Sequence, residues 1–426
     1  MPLPKRILPA IHEKQLLDFC RQLDQLKQDN PGRPLILYTG FSFSHNYLKL
    51  LRQMVKHGAL IALHLADGHM GGTVSLTEMA DGTYFHALLV SNPYIKELPW
   101  LAENYAFDAI HASVGTSSPY VFRELVTRSR SPVIIDYFDF REIMFDKQGL
   151  TQNNFGVENL ALELKMWGEI FTGAAGIIHL DSPEIVERLS HLHGHTPLAL
   201  FFQSYVSEEW LSHWNLLEKT VHEEMPETIV FAGGLHQPYQ HGYAFHDSFL
   251  NGVLGLVEQG FEFTIFNGCD SKGEGYAAYQ EKSRSIPRFH YRLAVPNFTL
   301  ARELAAFDLG WNAQNMDTGN EDEYYFRTLM ASKLFNYLEA GLPCVVSSYT
   351  TFVADFVREH NIGITLEWDQ WADFGRIAAS TDWESIRAAV ATARKTLTME
   401  RNMGRFIRFY NTACGREIFS GEEVGE

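Results

Sequence analysis

Short apolar runs alternate with amphipathic helical stretches along almost the whole chain, and the alternation occurs twice. In the first half PLILYT (34–39), ALIALH (59–64), FHALLVS (85–91), DAIHAS (108–113), PVIIDY (132–137), AGIIHL (175–180) and LALFFQ (198–203) read as strands. Helical patterns such as HNYLKLLRQMVKHG (45–58), SPYVFRELVTRS (118–129) and SPEIVERLSHLHG (182–194) separate several of them. After a polar stretch at 218–227 the rhythm restarts with TIVFAGG (228–234), FEFTIFNG (261–268), RFHYR (288–292), AFDLGW (306–311), PCVVSS (343–348) and GITLEW (363–368). Strands this uniformly apolar are buried on both faces, which implies parallel sheets covered by helices. The fold class expected is therefore α/β, with two doubly wound domains facing a central cleft. No simple sequence repeat connects the halves, so their symmetry is architectural.

At 426 residues the chain is too long for one ordinary core. The reading divides it into 1–215 and 216–426, with the last helices (383–397 and 399–413) able to pack back on the first domain. A net charge of -17 argues against a nucleic-acid partner, whose phosphates call for a basic surface. The four cysteines are far apart and fit no zinc or redox spacing, which favours a reduced, cytoplasmic setting. MPLPKRILPAIHEKQ carries no long apolar run, so neither a signal peptide nor a membrane span is expected. Peripheral membrane contact stays open.

Doubly wound sheets bind ligands outside the carboxyl ends of their strands, so the loops after strands are the places to search. Four such loops in the second half carry small or polar residues. Gly233 and Gly234 follow TIVFA and let backbone N–H groups approach a phosphate, although a plain tight turn explains them equally well. Asn267 and Gly268 follow FEFTIF, again a common turn pair. Arg292 ends RFHYR and can hold a phosphate or carboxylate. In ASKLFNYLEAGLPCVVSS (331–348), Ala331, Leu334, Phe335 and Leu338 recur at helical spacing, Gly341 marks the helix end, and Lys333 and Asn336 fall on the opposite face. A first-turn lysine opposes the helix field unless an anion lies nearby. Taken together at one end of one parallel sheet, these groups favour a phosphate-bearing ligand.

The segment SKLFNYLEAGLP (332–343) resembles the "SPKLFEYLAAGKP" signature of nucleotide-sugar glycosyltransferases with the GT-B fold, of the group 1, family 4-like kind. VFAGGL, FTIFNG and LAAFDLGWNA match the order of that family's second domain, and FDAIHAS and PVIIDYFD are similar to its acceptor-side strands. The resemblance implies a glycosyltransferase that moves a sugar from a nucleoside-diphosphate sugar, a UDP-sugar, to a glycan, lipid-linked or protein acceptor. It implies that Lys333 contacts the donor diphosphate, that Asn336 bonds the ribose hydroxyls and that Leu334 belongs to the same donor site. No cofactor and no metal are expected.

The chain also departs from the family pattern. Many relatives have glutamate at the Asn336 position and another where Thr328 stands. No certain cation follows the Gly233–Gly234 loop, which leaves Arg292, Lys333 and backbone amides to neutralise a diphosphate. Ser113 occupies the place of a histidine found in many retaining members. Two rival readings follow: a GT-B-like protein that binds a nucleotide sugar or scaffolds another transferase, and a nucleotide-sugar epimerase or hydrolase.

Glycosyl transfer commonly requires a base for the acceptor proton. Asp139, at the end of a strand, and His69, in a glycine-rich loop, lead the candidates, each with a turn or capping role as its alternative. Gly40, Ser42 and His45 after the first strand are candidates for substrate contact. His111 reads as a satisfied core histidine. The HLHGH run (191–195) lacks carboxylate or cysteine partners for a metal, and the acidic run 317–323 reads as a solvated loop.

Overall fold

Among the described residues thirteen strands form where the apolar runs predicted them: β1 (Leu35–Gly40), β2 (Leu60–Ala66), β3 (Ala87–Ser91), β4 (Ala109–Val114), β5 (Val133–Tyr137), β6 (Gly176–His179), β7 (Ala199–Phe201), β8 (Thr228–Gly233), β9 (Glu262–Asn267), β10 (Phe289–Leu293), β11 (Leu309–Asn312), β12 (Cys344–Ser347) and β13 (Gly363–Leu366). The computed structural model describes residues 10–40, 45–66, 82–91, 97–114, 119–137, 140, 157–218, 225–235, 245–268, 276–295, 299–313 and 323–420. One sheet has the order β3-β2-β1-β4-β5-β6-β7 and the other β10-β9-β8-β11-β12-β13, so both follow the same doubly wound plan. Every strand pairing in the two sheets is parallel. The order reverses between β1 and β4 in one sheet and between β8 and β11 in the other, which defines a switch point in each.

Burial explains why these runs became strands. Ile36, Leu37, Ile61, Leu63, Ile110 and Ile134 are fully buried in the first sheet, as are Ile229, Val230, Phe263, Ile265, Val345 and Val346 in the second. Each such side chain contributes about 1.5–3 kcal/mol relative to exposure. The helix Ala10–Asp29, which the sequence reading did not anticipate, buries Leu16, Phe19 and Leu23. Its Gln15 amide reaches the Val90 carbonyl on edge strand β3 at 3.5 Å.

Among the described residues, the first unit takes those up to Gln203 and those from Arg401 onward, and the second takes Ser204–Glu400. Residues 204–215, which the sequence reading placed in the first half, therefore make their contacts in the second. The Ser207 N–H donates to Glu339 Oε1 at 2.9 Å, and the Tyr205 ring meets Phe335 edge-on at 5.9 Å. Backbone bonds also tie Val206 to Leu397 and Met399. The polar stretch at 218–227 suggested a later boundary, but these contacts precede it. In the last helix, Met399–Cys414, Phe406 and Tyr410 are buried in the first unit and Arg405 donates to the Phe201 carbonyl.

Candidate functional site at the carboxyl ends of β8, β9 and β10

The segment after β11 folds as the helix Lys333–Ala340. Gly341 ends it in the left-handed region at φ 77°, and the Leu342 N–H closes back on the Tyr337 carbonyl at 2.8 Å. A side chain at Gly341 would also meet the Arg394 guanidinium, since a Cβ there falls 2.9 Å from Nη1. Residues 334–340 are all buried, including Asn336 and Glu339. The expectation of an apolar stripe opposite a polar face is thus corrected: the helix is enclosed by the Leu300–Leu304 and Trp383–Thr396 helices and by β11 and β12. Lys333, at its first position, is only partly buried.

Tyr337 fixes this helix to the sheet. Its hydroxyl donates to the Trp311 carbonyl at 2.9 Å and accepts from the Ala232 N–H at 3.1 Å, bridging β11 and β8 across the switch point. The ring lies where a side chain at Gly310 would stand, since a Cβ there would fall 2.2 Å from Tyr337 Cγ. Burial keeps the phenol protonated by raising its pKa well above the usual value.

Four residues before Tyr337 in the chain, Lys333 lies along the end of β8. Its Nζ sits 5.0 Å from the centre of the Phe231 ring, within cation–π range. A Cβ built on Gly233 would fall 2.0 Å from Lys333 Cε and 3.0 Å from Nζ. The lysine therefore crosses directly over Gly233, and the helix start and the glycine loop form one feature.

The neighbouring loops join it. Gly233, Asn267 and Leu293 form one row across β8, β9 and β10. The Gly268 N–H donates to the Gly233 carbonyl at 2.9 Å, and a Cβ at Gly268 would press on Gly233 and Gly234 backbone at 3.3 Å. Asn267 is fully buried. Its Oδ1 accepts from the Leu235 N–H at 3.0 Å, while its Nδ2 donates to the Tyr291 hydroxyl at 2.8 Å. Asn267 was expected to touch a ligand; both ends of its amide are engaged within the protein. Arg292 is exposed at the end of β10, with its guanidinium 5.7 Å from the Phe266 ring centre. Gly233, Gly234, Gly268 and Arg292 thus stand at adjacent strand ends, with the Lys333 side chain lying over the first of them. Phe231, Tyr276, Tyr291 and Tyr337, which organise them, were not singled out by sequence reading, because buried aromatics at strand and helix spacing read simply as core. Thr328 closes the last turn of its own helix by donating to the Tyr324 carbonyl at 2.9 Å.

In the first unit, Gly40 ends β1 and is paired in register with Ser113 of β4. Ser113 Oγ donates to the Tyr47 hydroxyl. His111 is fully buried, as the sequence reading expected of a core histidine. Its Nδ1 lies 2.8 Å from the Tyr410 hydroxyl, its Nε2 lies 3.5 Å from Asp136 Oδ2, and its ring stacks on Tyr38 at 4.6 Å. Burial pulls His64 and His179 down to about 4. His45 begins the helix His45–Lys56. His69, Ser42, Asp139 and the acidic residues 317–322 lie outside the described residues. Among the described residues no group of three His, Cys, Asp or Glu side chains could hold a metal, and no helix is long and apolar enough to cross a membrane.

Comparison with known proteins places this architecture. Residues 263–403 match the family model Gtf3_C, described as the C-terminal domain of glucosyltransferase 3-like proteins. No curated protein matches the chain. Among solved structures, Anabaena Alr3699/HepE in complex with UDP-glucose is similar, with TM-score 0.56 and 13% identity, covering 86% of this chain and 94% of that one. Os79 from O. sativa in complex with UDP gives TM-score 0.51 and 13% identity over 88% of this chain and 100% of its own. A Listeria monocytogenes protein provisionally named a UDP-N-acetylglucosamine 2-epimerase gives TM-score 0.52 and 10% identity, covering 88% of this chain and 96% of that one. With two doubly wound parallel sheets and full-length likeness of this kind, the chain has the GT-B fold.

Proposed function

We propose that this chain is a glycosyltransferase that moves a sugar from a nucleoside-diphosphate sugar, a UDP-sugar, to a glycan, lipid-linked or protein acceptor. The observation that carries the reading is the Lys333 ammonium, laid over Gly233 at the carboxyl end of β8 beside the switch point. A cation held against an open glycine loop suits a diphosphate, whose oxygens accept from Nζ and from loop N–H groups together. The matched family model and the UDP or UDP-glucose in HepE and Os79 support the same ligand class.

In the transfer itself an acceptor hydroxyl oxygen bonds to the anomeric carbon while the bond from that carbon to the diphosphate oxygen breaks. The diphosphate leaves with the electron pair, and Lys333 and Arg292 stabilise its growing charge. The hydroxyl proton passes to a base in the first unit, for which Asp139 and His69 are the candidates. Leu334 and Asn336 complete the donor side, with Asn336 toward the ribose. Gly40, Ser42 and His45 are assigned to substrate contact.

The fold also carries a protein named as an epimerase, and the resemblance puts Thr328 and Asn336 where many relatives would have glutamates, so the test must separate transfer from its alternatives. Incubation with a panel of nucleotide sugars, with and without acceptors, does so. Transfer requires product only when an acceptor is present. Isomerised or freed sugar without acceptor would replace the reading with epimerisation or hydrolysis, and binding without any product would replace it with a scaffold.

A further inference from the structure

The loop that carries Gly233 and Gly234 is clamped at its next residue from two sides. Leu235 is buried, and both of its backbone polar groups bond to side chains: the N–H donates to Asn267 Oδ1 at 3.0 Å, and the carbonyl accepts from the Tyr276 hydroxyl. Asn267 is held in turn by the Tyr291 hydroxyl, which accepts from Nδ2 at 2.8 Å. Tyr276 stacks against Tyr291 with ring centres 6.4 Å apart, and the ring of buried Tyr279 lies 5.9 Å from that of Tyr291. The clamp therefore closes on itself: an amide, two phenols and both backbone polar groups of Leu235 bond in a connected set. Buried polar networks of this kind, fully satisfied, rigidify what they hold. A phosphate cradle made of backbone N–H groups has no side chains of its own to fix it, and glycine gives the widest backbone freedom. Ordering such a loop at the moment of binding would cost affinity, whereas a loop already ordered avoids that cost.

We infer that Asn267, Tyr276 and Tyr291 are positioning residues that pre-order the Gly233–Gly234 loop for the diphosphate of the donor, Asn267 and Tyr276 by bonding Leu235 and Tyr291 by holding Asn267, and none of them by touching the ligand. The inference rests on the donor site proposed above. It makes a demand that simple support of the fold does not: losing the clamp weakens binding of the phosphates and leaves binding of the nucleoside untouched.

The test compares UDP with uridine by calorimetry for wild type, Asn267→Ala, Asn267→Asp, Tyr276→Phe and Tyr291→Phe, with thermal unfolding of each alongside. Asn267→Ala and Tyr276→Phe should lower UDP affinity by roughly fivefold to fiftyfold while uridine affinity stays within about twofold. Asn267→Asp keeps an acceptor for the Leu235 N–H but places a buried negative charge beside the phosphates, so it should lower UDP affinity at least as much as Asn267→Ala while uridine affinity again stays within about twofold. Tyr276→Phe removes one oxygen from a ring that keeps its packing, so it reads out the clamp even where Asn267→Ala fails to fold. UDP and uridine affinities that fall together, or UDP affinity unchanged in Tyr276→Phe, would overturn the positioning role. Failure of wild type to bind UDP at all would instead overturn the donor-site reading, which keeps the two failures apart.

Discussion

The same three residues, Ala-Phe-Asp, enter the fourth strand of both sheets, at 106–108 before β4 and at 306–308 before β11. In both places the aspartate fastens the neighbouring first strand. Asp108 Oδ2 accepts from the Leu35 N–H at 2.8 Å, and Asp308 Oδ2 accepts from the N–H groups of Glu227 and Thr228 at 3.0 and 2.9 Å. Two and three residues later the units part. The first has Ile110 and His111, the second Gly310 and Trp311. His111 sits among Tyr38, Asp136 and Tyr410, a polar interior next to the first switch point. Trp311 packs edge-on to Trp371 and Phe374, and the missing side chain at Gly310 makes room for the Tyr337 ring. One strand architecture thus supports either a buried polar cluster or a docked helix, and one glycine separates the outcomes.

The largest expected difference between the units is their response to acid. His64 and His179 both lie in the first unit, and burial lowers each from 6.5 to about 4. A histidine whose folded pKa lies below its unfolded value binds protons more readily when unfolded. Its stabilising effect is complete above pH 6.5 and is lost as pH falls from 6.5 to 4, by about 3 kcal/mol for each residue. Urea unfolding across this range should show the first unit losing stability, with His64→Gln flattening the slope. A first unit equally stable at pH 4.5 and 7 would contradict the assignment.

Next in size is Gly310→Ala, which would force a methyl into a ring fixed by two hydrogen bonds. A cost of about 3 kcal/mol is expected in the second unit. Its counterpart in the first sheet, Ile110, already carries a full side chain, and truncation there to alanine should instead cost what a core cavity costs, about 2–4 kcal/mol. Denaturant midpoints of the two variants check both values, and a harmless Gly310→Ala would remove the docking argument.

Much of this was legible in the chain and some was not. Period and apolarity revealed the strands of the described residues, most plainly the central ones, because a strand buried on both faces has few polar positions to obscure it; β7, β10 and β13 at the sheet edges are only partly buried. The Lys333 helix was visible for the same reason, together with its glycine stop. Its division into an apolar stripe and a polar face did not hold, since spacing shows which residues share a side and not how many neighbours surround the helix. The boundary near Ser204 left no compositional trace. Asn267 read as a turn or a ligand contact, and its two hydrogen bonds within the protein left no trace in the sequence.

Smaller again are the paired aspartates. Asp108→Ala and Asp308→Ala should each destabilise by about 2 kcal/mol through loss of charge-assisted bonds to strand ends, without altering nucleotide affinity. Thermal unfolding together with UDP titration tests this symmetry. A selective loss of UDP binding in Asp308→Ala would make that residue part of the site.

The central claim is that Lys333 and Gly233 form one phosphate-holding feature. Calorimetric titration of UDP into wild type, Lys333→Ala, Gly233→Ala and the double variant addresses it most directly. Lys333→Ala should lower affinity by roughly tenfold to thirtyfold, the loss of a charged hydrogen bond. Gly233→Ala should do nearly the same, because its methyl takes the space of Lys333 Cε while a flexible side chain can move aside without unfolding the protein. The double variant should be no weaker than the worse single variant, as expected of two residues acting as one. Wild-type affinity in either single variant, or losses that simply add, would contradict the account.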